Sequence, residues 1–229
     1  MTDSALRELA DDPSSRKRFF KMMGGAGAVS AFSAVLAACG DDKKGKAAAG
    51  TVATTPRPAG GDLAIVNYAL TLEYLEAEFY RQVIASGMIS DRATQDIAKR
   101  FGRTEQEHVD ALKATAKKLG GPAAKKPKTK FEDVIAGGPK KILQTAATVE
   151  NLGAAAYLGQ AGNIRDKEIL AAALAIHTVE ARHAAALNQL VGRKFAGGGA
   201  LEGSIPDGAF AKPMTMSQVL KQVKPFIAS

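Results

Sequence analysis

A Glu-x-x-His pattern occurs twice in this chain, in two segments whose apolar residues have helical spacing. Glu105 precedes His108 by three residues, and Glu180 precedes His183 by the same interval. The sequence contains only three histidines, so two of the three share this relationship with a glutamate. Residues three apart lie on one face of an α-helix. The pattern therefore predicts two helices that each present a carboxylate and an imidazole on the same face.

A second pattern precedes each of these helices. Glu73 lies seven residues before Tyr80, and Glu150 lies seven residues before Tyr157. Seven residues is nearly two helical turns, so each glutamate shares a helix face with its tyrosine. We interpret the chain as two hairpins, each a Glu-x6-Tyr helix followed by a Glu-x-x-His helix. This arrangement predicts a degenerate internal duplication.

The segments around these residues are rich in alanine and leucine and contain few alternating β-branched runs, which predicts an all-α protein. We expect a bundle over residues 61–192 with four helices, the first capped by Asp62 and the third beginning at Pro139. Residues 121–138 connect the second and third helices, and "FEDVIAG" within them favours one short helix. This connection is long enough to cross the bundle. The tail, residues 193–229, offers a short C-terminal helix in "MSQVLKQVKPFIA".

The first 38 residues are typical of an export signal, with a basic cluster before an apolar stretch that is shorter than the roughly 20 residues of a membrane span. "LAAC", at 36–39, resembles a bacterial lipobox, which implies lipidation of Cys39 and anchoring on the extracytoplasmic side of the membrane. "SRKRFFK" resembles a twin-arginine signal with Lys17 in place of the second arginine, so twin-arginine and general secretion both remain open. The alternative is an uncleaved helix that serves as the anchor. Residues 39–60 are predicted to be a flexible tether.

The formal net charge of +8 raises the question of an anionic partner. Many of the lysines fall between Lys113 and Lys141, where Gly and Pro interrupt the run and Phe131 is the single aromatic residue. We interpret this stretch as a solvated connection and predict no nucleic-acid binding. Contact with acidic lipid headgroups is the minor alternative.

The four helical segments together resemble the ferritin-like di-iron and di-manganese carboxylate proteins, and "NYALTLEYLEAEFY" resembles the ferritin-like domain proteins that include the plant desiccation-related proteins. The resemblance implies an all-α ferritin-like four-helix bundle with a long crossover between the second and third helices. It also implies a dinuclear iron or manganese site with these ligands: Glu73, Glu105, His108, Glu150, Glu180 and His183. One or both of Glu73 and Glu150 are expected to bridge the two ions. Glu76, one turn from Glu73, is an alternative or additional ligand.

Glu150 is the strongest single indication of such a site. It is the only acidic residue between Asp133 and Asp166, in a helix made largely of Ala, Gly, Leu and Val. An unpaired buried carboxylate costs several kcal/mol, and a cation would remove that cost. Iron and manganese favour carboxylate and imidazole ligands, as expected for a cluster without thiolates. The alternatives are surface ion pairs, or a bundle that keeps these residues without binding metal.

The remaining polar residues near the pattern receive lesser roles. Tyr80 and Tyr157 are predicted to be core residues that hydrogen-bond to the ligands, rather than radical carriers. His177 is predicted to be packed or half-exposed, or otherwise to hydrogen-bond a ligand. Glu78, together with Glu107 and Asp110, is expected to face solvent.

The predicted function is that of an exported, lipid-anchored ferritin-like protein that performs redox chemistry on oxygen or peroxide in stress protection. Whether it is an enzyme stays open, with peroxidase, catalase and ferroxidase activities all compatible with the fold. Two alternatives come from other classes. One is a non-catalytic structural or desiccation-protective bundle of the cell envelope, and the other is iron binding or sequestration.

Overall fold

The computed structural model of the chain describes residues 57–193, 201, 204 and 210–228. The predicted export signal, Cys39 and nearly all of the predicted tether lie outside these residues. The described residues contain six α-helices, a final 3-10 turn and no β-strand, so the all-α prediction is confirmed. The helices are α1 Gly61–Ser86, α2 Arg92–Lys118, α3 Glu132–Ala136, α4 Gly138–Ala161, α5 Lys167–Leu190 and α6 Met216–Val223.

Side-chain caps fix the starts of α2 and α5. Asp91 accepts a hydrogen bond from the backbone N–H of Thr94, and Asp166 accepts from the N–H groups of Glu168 and Ile169. These contacts satisfy N–H groups that have no partner within the helix.

The predicted cap of α1 is wrong. α1 begins at Gly61 after Gly60, and both glycines have positive φ angles, 63° and 94°. Glycine adopts this conformation without a steric penalty, so α1 begins two residues earlier than it would with Asp62 as its cap. Asp62 instead accepts hydrogen bonds from the backbone N–H groups of Arg165 and Asp166, at 3.1 and 2.9 Å, and thereby ties the start of α1 to the start of α5.

Four long helices form the bundle, and α1/α2 and α4/α5 are its two hairpins. One apolar cluster joins Phe79 near the end of α1, Ile142 near the start of α4 and Leu187 near the end of α5. Another joins Leu112 near the end of α2 and Tyr157 near the end of α4. Because α2 and α4 end on the same side, the connection between them crosses the length of the bundle, as predicted. The short helix α3 lies on this connection.

The C-terminal segment packs against the bundle and against the crossover. Val219 and Val223 of α6 are buried in one cluster with Leu72 of α1 and Leu152 of α4. The crossover and the tail also exchange backbone hydrogen bonds, with Lys130 N–H donating to the Phe226 carbonyl at 2.8 Å. The tail therefore holds the crossover beside α1 and α4. Within the described ranges, no helix has the length and apolar character that crossing a bilayer requires.

Candidate metal centre

Six side chains from the four long helices meet in the interior of the bundle. α1 contributes Glu73, α2 contributes Glu105 and His108, α4 contributes Glu150, and α5 contributes Glu180 and His183. The four glutamates have no solvent exposure, and the two histidines are 8% and 6% exposed. The structure thus brings together all the side chains that the sequence analysis named as ligands. The repeated sequence pattern places equivalent side chains on the inner faces of two similar hairpins.

The six side chains form two overlapping groups. One group contains Glu73, Glu105, His108 and Glu180, and the other contains Glu105, Glu150, Glu180 and His183. Within each group, the potential ligand atoms all lie within 4.8 Å of one another. The shared glutamates are Glu105 and Glu180, whereas the sequence analysis expected Glu73 or Glu150 to bridge. Glu105 and Glu180 are the residues whose ligand atoms belong to both groups, so they lie between the two sites.

The Nδ1 atom of each histidine points into the cluster. His108 Nδ1 lies 2.8 Å from Glu105 Oε2 and 3.2 Å from oxygens of both Glu73 and Glu180. His183 Nδ1 lies 2.9 Å from Glu105 Oε1 and 3.2 Å from Glu150 Oε2. A ring nitrogen carries at most one hydrogen, so it cannot donate to every carboxylate around it. Convergence of several oxygens on one nitrogen is the arrangement expected of ligands that surround a shared cation.

Several carboxylate oxygens of the cluster are buried without a hydrogen bond. These are Oε1 of Glu105 and both side-chain oxygens of Glu180. His108 and His183 lie close to two of these oxygens, but the contacts lack hydrogen-bond geometry. A buried acceptor without a partner costs about 1–3 kcal/mol, and more when it is charged. The unsatisfied oxygens belong to the two glutamates that both groups share, which is where two cations would sit between ligands.

The pKa values of the cluster residues reflect the concentration of carboxylates in the interior of the bundle. Burial, together with repulsion from neighbouring glutamates, raises the pKa of both Glu105 and Glu180 well above the usual range. Burial favours the neutral form of His108, but the adjacent carboxylates of Glu105, Glu180 and Glu73 outweigh burial and raise its pKa to about 12. The metal-free cluster therefore retains protons at neutral pH. Cations would replace those protons, because metal ligands bind in their deprotonated forms.

Two tyrosines hold the outer glutamates, Glu73 and Glu150, which each belong to only one group. Each tyrosine comes from the opposite hairpin. Tyr80 on α1 donates its hydroxyl hydrogen to Glu150 Oε1 on α4 at 2.5 Å, and Tyr157 on α4 donates to Glu73 Oε1 on α1 at 2.5 Å. The prediction that both tyrosines are core residues hydrogen-bonded to the predicted ligands is confirmed, and each bonds to the glutamate of the opposite hairpin rather than to the one on its own helix. Burial and the adjacent carboxylates raise the pKa of both tyrosines well above the usual range, so both remain neutral donors.

Three further residues shape the centre, and the sequence analysis gave them no role there. A Cβ atom at Gly153 would lie 2.7 Å from Glu180 Oε2 and 3.1 Å from Glu76 Oε1, so glycine leaves room for both carboxylates. A Cβ at Gly102 would lie 2.9 Å from Tyr80 Cβ, so glycine allows α1 and α2 to approach closely. The ring of Phe101 stacks on His183, with centroids 3.7 Å apart. The only signal in the sequence was a glycine inside each of two helices, which is otherwise unfavourable.

Other acidic and imidazole side chains lie near the cluster without joining it. Glu76 is buried at 3% exposure but belongs to neither group, and burial, then repulsion from Glu180 and Glu73, raises its pKa well above the usual range. His177 is half-buried, its Nδ1 lies 3.0 Å from the Ala154 carbonyl oxygen, and burial lowers its pKa. His177 is therefore a packed side chain bonded to backbone.

The prediction that Glu78 faces solvent is wrong. Glu78 is only 8% exposed. It accepts hydrogen bonds from Arg81 at 2.5 Å and from Lys126 at 2.6 Å. Hydrogen bonds from Arg81, and then from Lys126, lower the pKa of Glu78 to about 2 despite its burial. The crossover brings Lys126 back against α1, a contact that cannot be inferred from the local sequence. Glu107 and Asp110 are exposed, as predicted.

The donor set of the cluster consists of carboxylate oxygens and imidazole nitrogens, without a thiol among the described residues. Oxygen and nitrogen donors of this kind suit iron, manganese and other divalent ions of similar hardness. The buried oxygens without partners, the space left by Gly153 and the inward Nδ1 atoms all fit a metal site. The cluster could hold metal ions in both of its groups.

Comparison with known proteins gives an independent result. Residues 61–193 match the family model described as a ferritin-like domain. The match begins at the first residue of α1 and ends just after α5, so it covers both hairpins and all six cluster residues. Among curated proteins, none matches the chain.

Proposed function

The chain belongs to the ferritin-like domain family, and on this premise we propose that the six buried side chains bind a dinuclear iron or manganese centre. The observation that carries the proposal is the sharing of Glu105 and Glu180 between two groups of ligand atoms, with three of their oxygens lacking hydrogen bonds. Each ion would have one histidine, one outer glutamate and the two shared glutamates. The outer glutamates are Glu73 on the His108 side and Glu150 on the His183 side.

We propose that the centre performs redox chemistry on oxygen or peroxide and serves in stress protection. When bound, two divalent ions would supply the two electrons that, with two protons, reduce oxygen to hydrogen peroxide or hydrogen peroxide to two waters. The protein's contribution is to bind and orient. Tyr80 and Tyr157 hold the outer glutamates by hydrogen bonds, and apolar packing above and below the centre restricts water. Such fixed surroundings orient metal ligands and adjust the properties of the metal.

The proposal is tested by reconstituting the purified protein anaerobically with Fe²⁺ or Mn²⁺ and then following oxygen and peroxide consumption. Glu180→Gln is the control, because it keeps the side-chain shape and removes the charge of a shared ligand. We expect consumption of oxygen or peroxide by the loaded wild type and strongly reduced consumption by the variant. Consumption of neither molecule by the loaded wild type would contradict the redox proposal and favour metal storage or a structural role.

We further propose that the protein is exported and anchored to the extracytoplasmic side of a membrane through lipidated Cys39. The support is the sequence alone, a basic and apolar leader followed by the lipobox-like "LAAC". Several acyl chains would be needed, since a single chain binds a membrane only marginally. Labelling with a fatty acid in the producing bacterium tests the proposal, with Cys39→Ala as the control. We expect label and membrane association in the wild type only. Equal membrane association of the variant would contradict lipidation as the anchor.

A further inference from the structure

A groove of about 450 Å³ lies between α1 and α2, and none of the six cluster residues lines it. Its uncharged lining includes Tyr74 and Ala77 of α1 and Gly102 and Val109 of α2. The crossover contributes Lys126. Ligand sites in proteins are typically roughly 300–1,000 Å³ in volume, so the groove has the size of a small-molecule site. It is separate from the metal cluster.

The charged residues that line the groove are almost all cationic. Glu78 is the single acidic member of the lining. Five cationic side chains line the groove, namely Arg81, Lys99, Arg103, Lys113 and Lys126. Arg103 and Lys113 are exposed and form no ion pair with any described residue. The ion pair between Lys99 and Asp96 has a separation of 3.9 Å and is exposed on both sides, so it neutralises Lys99 only weakly. The groove therefore carries more positive charge than its own residues compensate.

Glu78 holds two of these cations in place. It is only 8% exposed and accepts two hydrogen bonds from Arg81, at 2.9 and 2.5 Å, and one from Lys126 at 2.6 Å. Arginine and lysine each carry more N–H donors than these hydrogen bonds use. The side chains of Arg81 and Lys126 are 64% and 49% exposed, so their remaining donors are accessible. Cations that are already ordered lose less entropy when they bind a ligand.

The other cations are spread along the groove rather than gathered at one point. Lys99, Arg103 and Lys113 follow one another on α2, and the first and last are fourteen residues apart. This separation corresponds to about 21 Å along the helix axis. An anion that engages several of these side chains must carry its charges at several points. A chain of linked phosphate groups has this form, whereas orthophosphate and the phosphodiester of a lipid headgroup carry their charge at one point.

We propose that the groove between α1 and α2 binds a small anion made of several linked phosphate groups, such as tripolyphosphate. Phosphate oxygens accept strong, charge-assisted hydrogen bonds from both arginine and lysine, and the planar guanidinium of Arg103 can donate two at once. The site lies outside the metal cluster, so the proposal does not depend on the proposed metal centre.

Isothermal titration calorimetry of the metal-free full chain with sodium tripolyphosphate is the first test. Metal is left out because phosphate chains themselves chelate iron and manganese. We expect binding that weakens as sodium chloride is added, because salt screens exposed charges. Orthophosphate at equal ionic strength should bind at least about tenfold more weakly. Equal affinity for orthophosphate and tripolyphosphate, tighter binding of citrate, or no binding would each overturn the proposal.

Two arginine variants separate the groove from general surface charge. Arg103→Gln removes a charge from the groove, and Arg100→Gln removes the same charge from an exposed position of α2 outside it. We expect the dissociation constant for tripolyphosphate to rise about tenfold in Arg103→Gln and less than about twofold in Arg100→Gln. Melting temperature and metal content should match wild type in both variants. Equal weakening in the two variants would overturn the proposal while leaving the metal centre unaffected.

Vesicles distinguish a free phosphate chain from a lipid headgroup as the source of phosphate. Co-sedimentation with phosphatidylglycerol vesicles, and with phosphatidylcholine vesicles as the neutral reference, is measured for the same two variants. We expect Arg103→Gln and Arg100→Gln to bind phosphatidylglycerol vesicles alike, because a membrane surface responds to general charge. Loss of vesicle binding in Arg103→Gln alone would show that the groove engages a membrane and would overturn its assignment to a free phosphate chain.

Discussion

The hydroxyl group of Tyr157 lies 2.5 Å from Glu73 Oε1, so a residue of the second hairpin orients a glutamate of the first. Tyr80 and Glu150 make the reciprocal contact at the same distance. Each hairpin therefore supplies one outer glutamate and the tyrosine that holds the outer glutamate of its partner. The two halves of the duplicated sequence depend on each other, and neither contains a complete set of ligands with its hydrogen bonds.

Replacing Tyr157 by Phe should weaken metal binding without abolishing it. Loss of the hydroxyl group frees the Glu73 carboxylate to rotate, and loss of an outer partner typically lowers metal affinity by about 10- to 100-fold. Competition titrations against a chelator of known affinity measure the effect. Tyr74→Phe is the matched control, because Tyr74 is a half-buried tyrosine on α1 outside both groups. Equal affinities of the two variants would show that the Tyr157 contact does not organise the centre.

The shared and outer glutamates should give different results when each is replaced by Gln. Glu105→Gln or Glu180→Gln removes a ligand from both groups, so the bound metal should fall below about one ion per chain. Glu150→Gln affects one group only and should retain about one ion. Metal analysis after gel filtration measures both. The same metal content in all of these variants would be incompatible with two ions that share Glu105 and Glu180.

The same Glu180→Gln variant should raise the melting temperature of the metal-free protein. The unmodified carboxyl group is fully buried, lacks hydrogen bonds and is repelled by its neighbours, which raises its pKa well above the usual range. A neutral amide removes that repulsion. The gain should vanish or reverse when metal is added, since only the wild type then gains the binding energy. A lower melting temperature of the metal-free variant would contradict the view that the empty cluster is destabilising.

Gly153→Ala should disrupt the centre through crowding. The added Cβ would lie 2.7 Å from Glu180 Oε2, a separation that real Cβ atoms essentially never show, so the carboxylate must move. Gly162→Ala is the control, because Gly162 has no atom within 4 Å of the added Cβ and its φ of −69° suits any residue. We expect reduced metal content for Gly153→Ala alone, measured at saturating metal. Wild-type metal content in Gly153→Ala would show that Glu180 is not held in this position.

Glu78→Gln should destabilise the protein in a pH-dependent way. Hydrogen bonds from Arg81 and Lys126 lower the pKa of Glu78 to about 2 from an ordinary value of 4.5. The stabilisation is complete above pH 4.5 and is lost as the pH falls through about 2. Because both cationic partners are largely exposed, the contribution at neutral pH is about 1 kcal/mol.

The measurement for Glu78 is urea unfolding of wild type and variant at pH 7 and at pH 2.5. The difference in unfolding free energy should shrink at the lower pH. Glu168→Gln serves as the control, because the Glu168–Lys118 pair is exposed on both sides and should contribute little at either pH. A difference for Glu78→Gln that stays constant from pH 7 to 2.5 would show that its charge is not the source of the stabilisation.

Helical periodicity and the repeated Glu-x-x-His motif were sufficient to predict the four long helices and the crossover. They also identified the residues that meet inside the bundle. Side chains three or seven apart share a helix face whatever the tertiary structure, and a buried carboxylate in an apolar helix needs a compensating partner. The pattern of residues is therefore enough to select Glu150 from its helix.

The roles within the site depended on how the helices pack. The sequence cannot show which glutamates lie between the two groups, so it assigned bridging to Glu73 or Glu150 rather than to Glu105 and Glu180. The Tyr157 contact to Glu73 is likewise a long-range contact between hairpins. The Glu78 pairing depends on the path of the crossover, which places Lys126 beside α1. What the sequence left open in each case is a contact between elements rather than the elements themselves.

Metal stoichiometry of the purified protein tests the central claim most directly. The protein is reconstituted anaerobically with excess Fe²⁺ or Mn²⁺, separated from free metal and analysed by plasma mass spectrometry. The account predicts about two ions per wild-type chain and fewer than about one in Glu105→Gln. Wild-type protein that retains its helical content and binds fewer than about 0.2 ions per chain would contradict it, since the buried carboxylates would then persist without cations.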